Sequence, residues 1–154
     1  MAKKTTKIVI DPGSGGSGYS IWDMNWNLLS YGNVFPKEKE IWEIKVYEVA
    51  EELKRIAQKW RCNEGHIEYP AFFMTHNSGG VASSGALVKL AFFTGVVCGT
   101  MPFLVKILKV SEWKGNLPKK VVINRIKKIL PTCKAKSHSW DSIGMALYLS
   151  GRFK

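Results

Sequence analysis

Cysteine is scarce in this chain and badly placed for cross-linking. The three present, Cys62, Cys98 and Cys133, are an odd number with no C-x-x-C pair. That argues against both a disulfide framework and a zinc knuckle, and fits a reducing compartment. Acid is also in short supply, with 12 Asp and Glu against 23 Lys and Arg and a formal net charge of +11. An acidic buffer or acidic-tail protein is thereby excluded. There is no internal repeat, low-complexity tract or linker, and 154 residues are too few for two ordinary domains. One domain over residues 1–154 is expected. The basic start MAKKTTKIVI runs at once into Asp11 and a glycine cluster, leaving no room for a signal-peptide core. A cytoplasmic protein is the expectation. What is present, 45% hydrophobic and 12% aromatic residues, excludes a disordered chain, because it can bury enough apolar surface to offset the entropy of folding.

One stretch is long and apolar enough to raise the question of a membrane. Val81 to Val105 carries a single charge, Lys89. It is broken by Ser83, Ser84, Gly85, Gly95, Gly99 and Pro102, and reads as a buried helix followed by a buried strand, with no membrane partner. The positive charge is concentrated elsewhere: from Lys106 to Lys136 there are ten basic residues and only Glu112. A surface kept merely soluble mixes both signs, whereas a one-sign patch suits a polyanion. Nucleic acid is the first choice, and anionic lipid the competitor.

Local patterns give the order β-β-β-α-β-α-β-α-α. Lys7 to Ile10 is a β-branched run ending at Asp11 and the turn Pro12 to Gly18. Tyr19 to Met24 and Asn27 to Phe35 read as strands joined near Asn25. Ile41 to Trp60 has helical periodicity, with Ile44, Val49, Leu53, Ile56 and Trp60 inward and Glu51 four residues before Arg55. His66 to Tyr69 is a short strand stopped by Pro70, and Phe72 to Gly80 an irregular loop. Helix Ser84 to Thr100, strand Pro102 to Val110, a helix starting at Pro118 and a last helix capped by Ser137 complete the chain. The sum is an α/β fold, one mixed sheet with helices on its faces.

Four residues stand out on that scaffold. Asp11 ends the first strand, Glu68 ends a later one, and His138 and Asp141 lie three apart on one helix face. Each has a plain alternative: Asp-Pro-Gly is a common turn, Glu68 could be a strand-end charge, and His138 a solvent-facing helix residue. Asp141 is harder to dismiss, because it interrupts the apolar spacing of Trp140, Ile143, Gly144 and Leu147. Carboxylates gathered at one sheet edge repel one another unless a cation is bound, and oxygen ligands favour magnesium or manganese. The glycines 13, 15, 16 and 18 could instead cradle a phosphate, as in sugar-kinase and actin-type ATPases. The chain, however, has no G-x-x-x-x-G-K-[ST] lysine and no room for a second lobe.

Together Ile8-Val9-Ile10-Asp11-Pro12-Gly13, Ile67-Glu68-Tyr69-Pro70, Ser83-Ser84-Gly85-Ala86-Leu87-Val88-Lys89-Leu90 and His138-Ser139-Trp140-Asp141-Ser142-Ile143-Gly144-Met145-Ala146-Leu147 resemble the RuvC-type Holliday junction resolvases. The motifs fall in the family's order across the whole chain, in a variant that looks phage-like. The resemblance implies an RNase H-like mixed five-stranded sheet flanked by helices, and a homodimer that makes paired symmetric nicks in four-way DNA junctions. It also implies two Mg2+ or Mn2+ ions per site and water as the nucleophile. Asp11, Glu68 and Asp141 take the metal-ligand roles, and His138 is a further ligand or the base for the attacking water.

By the same resemblance Phe72 or Phe73 enters the junction centre, although strict register places Ala71 there. Lys114, Lys119 and Lys120, with Lys106 and Lys109 of the same basic segment, contact phosphates. The apolar helix around residues 84–100, small at Ala86, Ala91 and Gly95, forms the dimer contact. Two alternatives stay open at this point: an RNase H-like RNA-processing nuclease, and a junction-binding protein that does not cleave.

Overall fold

The computed structural model describes residues 5–69 and 81–153, with side chains omitted for residues 81–84. Its centre is β1 (Thr6–Asp11), buried at every position because it is paired on both edges and covered on both faces. β2 (Ser17–Asp23) lies antiparallel to β1, and β3 (Leu28–Val34) antiparallel to β2. The β2–β3 turn is closed by the Asp23 carboxylate, which accepts the backbone N–H groups of Asn25 and Asn27 at 2.8 Å. On the other side β4 (Cys62–Tyr69) and β5 (Val105–Lys109) add in parallel, giving the order β3-β2-β1-β4-β5. The expected mixed five-stranded sheet is thus the sheet observed.

Strand alternation splits the core into two layers. Ile8, Ile10, Ile21, Ile67 and Val105 face α1 (Trp42–Lys59) and α2 (Val81–Thr100). Val9, Trp22 and Leu108 face the other way, against α3 (Val110–Trp113), α4 (Lys119–Ile129) and α5 (His138–Leu149). Between β1 and β4 the register steps by one residue: Thr6 pairs with Cys62 but Lys7 with Glu64, which leaves Asn63 over. From there the pairing is regular through Ile10 and Ile67, so the next pair is Asp11 beside Glu68.

Several local expectations need correcting. β4 begins four residues before His66, because Glu64, polar in sequence, is drawn into the sheet between Lys7 at 3.8 Å and Lys106 at 3.1 Å. β5 is only five residues long, and its end passes directly into the unforeseen single-turn α3. The buried stripe of α1 is Val46, Val49, Ala50, Leu53 and Ala57, so Ile44 lies outside it and is exposed. Glu51 reaches Lys54, not Arg55, which pairs with Glu52. Helix α4 starts at Lys119 with Pro118 as its flanking residue.

α2 covers residues 81–100 and keeps Phe93 and Val97 inside while Val88 and Phe92 stay exposed. A methyl group added at Gly95 or Gly99 would meet nothing within 4 Å. Among the described residues, no helix is long and apolar enough to cross a membrane.

Candidate active site at the sheet edge

Asp11 and Glu68 arrive side by side at the ends of two neighbouring parallel strands, on the face that α5 covers. α5 then brings His138 and Asp141 over them. Its approach is set by a missing side chain. A Cβ on Gly18, the β2 residue paired with Asp11, would lie 2.1 Å from the His138 carbonyl carbon and 2.5 Å from the Ser139 nitrogen. The start of the helix therefore rests on bare backbone.

The expected Ser137 cap is not made: Ser137 has φ 48° and no side-chain cap bond. The cap comes instead from β3, where Asn33 Oδ1 accepts the Ser139 N–H at 3.1 Å and Asn33 Nδ2 donates to the Lys136 carbonyl at 2.9 Å. The Ser139 N–H, which also donates to the Lys136 carbonyl at 3.1 Å, is thus shared between the turn and β3, and the contact ties the first turn of α5 to the sheet.

All four sequence-predicted residues meet here. His138 Nδ1 donates to Asp11 Oδ2 at 2.7 Å. Asp141 is buried, and its two oxygens take the ammonium groups of Lys114 and Lys119 at 3.3 and 3.2 Å. Glu68 Oε2 accepts the indole N–H of Trp113 at 2.9 Å. Burial pushes the Asp11 carboxyl up, against the opposing hydrogen bond from His138. Burial, and next the charge of Asp11, push Glu68 up to about 7. The bond to Asp11 raises His138.

Those shifts have a measurable consequence in metal-free protein. A carboxyl raised in the fold loses stability as it ionises, and a raised histidine loses it as it deprotonates, so Glu68 and His138 act in the same direction. Buried His66 is shifted down and acts oppositely, but only below its ordinary 6.5. Between pH 6.5 and 8 the stability in chelator is expected to fall by about 1 kcal/mol, roughly 2–4 °C in Tm. Glu68→Gln should flatten part of that slope in a thermal scan. A Tm rising over the window would refute the arrangement.

The remaining candidates separate. Lys114 and Lys119 belong to the site itself. Lys106 is bound to Glu64, on the same sheet face but four residues before Glu68. Lys109 and Lys120 are exposed. Phe72 and Phe73 lie outside the described residues. Sequence reasoning missed Trp113 and Asn33, whose partners are 45 and 106 residues away.

Among the described residues no group of three or more His, Cys, Asp or Glu side chains is gathered as a metal cage. The donor set nevertheless suits a hard divalent cation. It offers one imidazole and three mutually repelling carboxylates, each carboxylate now held by a protein donor or positive charge of the kind a cation would replace.

No family model matches the chain, and no curated protein matches it in sequence. Among solved structures it is similar to RuvC of Thermus thermophilus, with TM-score 0.62 and 19% identity over 93% of this chain and 92% of that one. It is likewise similar to T. thermophilus RuvC in complex with Holliday junction substrate. There the TM-score is 0.66 and the identity 18%, over 96% and 97% of the two chains. The chain has the RNase H-like fold of RuvC.

Proposed function

We propose that residues 1–154 form one nuclease domain that resolves four-way DNA junctions by paired, divalent-metal-dependent hydrolysis. The observation that carries the reading is the 2.7 Å bond between His138 and Asp11, made beside Glu68 on a fold shared with a junction-bound protein. Asp11, Glu68 and Asp141 would hold Mg2+ or Mn2+, which when bound supplies charge stabilisation at the attacked phosphate. His138, held at Nδ1 by Asp11, presents Nε2 to take a proton from the attacking water. Lys114 and Lys119, freed from Asp141, turn to the phosphate. Lys106, Lys109 and Lys120 extend the phosphate contacts along the duplex, and Phe72 or Phe73 enters the branch point. The exposed apolar face of α2 pairs with that of a second copy, setting two sites for two symmetric nicks.

The test is an end-labelled immobile four-way junction, with and without Mg2+ or Mn2+, beside duplex, single-strand and RNA controls. Paired metal-dependent nicks in opposite arms are expected. Junction affinity should fall on the order of 10³-fold between 50 and 200 mM salt, as about six phosphate contacts require. Binding without nicks in either metal would leave a junction-binding protein, and cleavage of RNA alone would keep the site and replace the substrate.

A further inference from the structure

We infer that Trp113 is a positioning residue for Glu68, an inference that rests on the nuclease reading and extends it to a residue outside the acidic set. Trp113 ends the single turn of α3 and is buried. A buried indole N–H requires an acceptor, and the acceptor here is one oxygen of a desolvated carboxylate, Glu68 Oε2 at 2.9 Å. That bond fixes the rotation of the carboxylate about its last torsion and designates Oε1 as the oxygen presented to a cation.

The indole is itself immobilised by packing. A Cβ on Gly144 of α5 would lie 2.7 Å from its Cζ3, and the Phe153 ring stands edge-on at 5.8 Å. The helix that carries Asp141 thus also seats the ring that orients Glu68. The next residue, Lys114, lies with its ammonium 4.8 Å from the same ring and 3.3 Å from Asp141 Oδ1. Two consecutive side chains at the end of α3 therefore hold two carboxylates that belong to different elements.

Partners behind a ligand typically govern metal affinity by 10- to 100-fold. Trp113→Phe keeps an aromatic ring, though a smaller one, and removes the N–H. Replacement by β-(3-benzothienyl)alanine, an isostere with sulfur in place of the N–H, does so without changing the packing. Mn2+ binding is followed by the paramagnetic resonance of free Mn2+, without DNA. Both substitutions are expected to weaken Mn2+ binding about 10- to 100-fold, with Tm held near wild type for the isostere. In a Glu68→Gln background they are expected to change affinity less than twofold, since the group through which Trp113 acts is gone.

Equal Mn2+ affinity in wild type and isostere overturns the inference alone. An undiminished loss in the Glu68→Gln background also overturns it, because the effect then passes through another group. A wild-type protein that binds no Mn2+ overturns the nuclease reading and this inference with it.

Discussion

Asp11→Asn is expected to leave junction binding within about twofold of wild type and to lower cleavage on the order of 10³-fold, as loss of a ligand worth several kcal/mol to the transition state requires. The same substitution should not cost stability. Asp11 is 6% exposed, its carboxyl is pushed up by burial, and its charge raises Glu68 beside it. A neutral amide removes that repulsion and still offers an oxygen to His138. Its Tm in chelator at pH 8 is therefore expected at or above that of wild type. Cleavage retained by a pure preparation would reject the assignment of Asp11. Binding lost in step with cleavage would assign it a structural role instead.

Gly18→Ala is expected to act through the fold. The three atoms nearest to an added methyl group, at 2.1, 2.2 and 2.5 Å, all belong to the backbone of His138 and Ser139. None of them can rotate away, so α5 must lift. Ordinary overpacking costs 1–3 kcal/mol; a contact that can be relieved only by moving a helix should reach at least about 3 kcal/mol, or roughly 6–12 °C in Tm. The lift also carries His138 off Asp11, and a misplacement of this kind costs on the order of 100-fold in rate. A Gly18→Ala protein with wild-type urea midpoint and activity would show that the helix start does not depend on this approach.

The sheet and the acidic set were legible because each depends on neighbours in sequence. A β-branched run marks β1, and a turn near Asn25 marks the β2–β3 hairpin. Asp11 and Glu68 stand at strand ends, and His138 and Asp141 share a helix face by their spacing. What stayed hidden depends on distant residues. Nothing near Asn33 announces that it caps a helix beginning at residue 138, and nothing near Trp113 announces Glu68. The first half of β4, with Asn63, Glu64 and Gly65, lacks strand character and is a strand because Cys62, Glu64 and Gly65 pair with β1 and Gly65 also with β5. Lys114 and Lys119 read as phosphate contacts within a basic segment. Their position on Asp141 follows from the packing of α3 and α4 against α5.

The slip in pairing at Asn63 decides where this chain can change length. Side chains swap faces at every residue of a strand. One residue inserted between Glu64 and Glu68 would turn the Glu68 carboxylate away from Asp11 and into the layer of Ile10 and Ile67. The same residue added ahead of Glu64 meets a place where the strands are already out of step, and can be taken up there. The far end of the sheet thus works as an expansion joint. Growth or shortening in the α1–β4 connection is absorbed before it reaches the carboxylates, and the four residues leading to Glu68 are held to a fixed count.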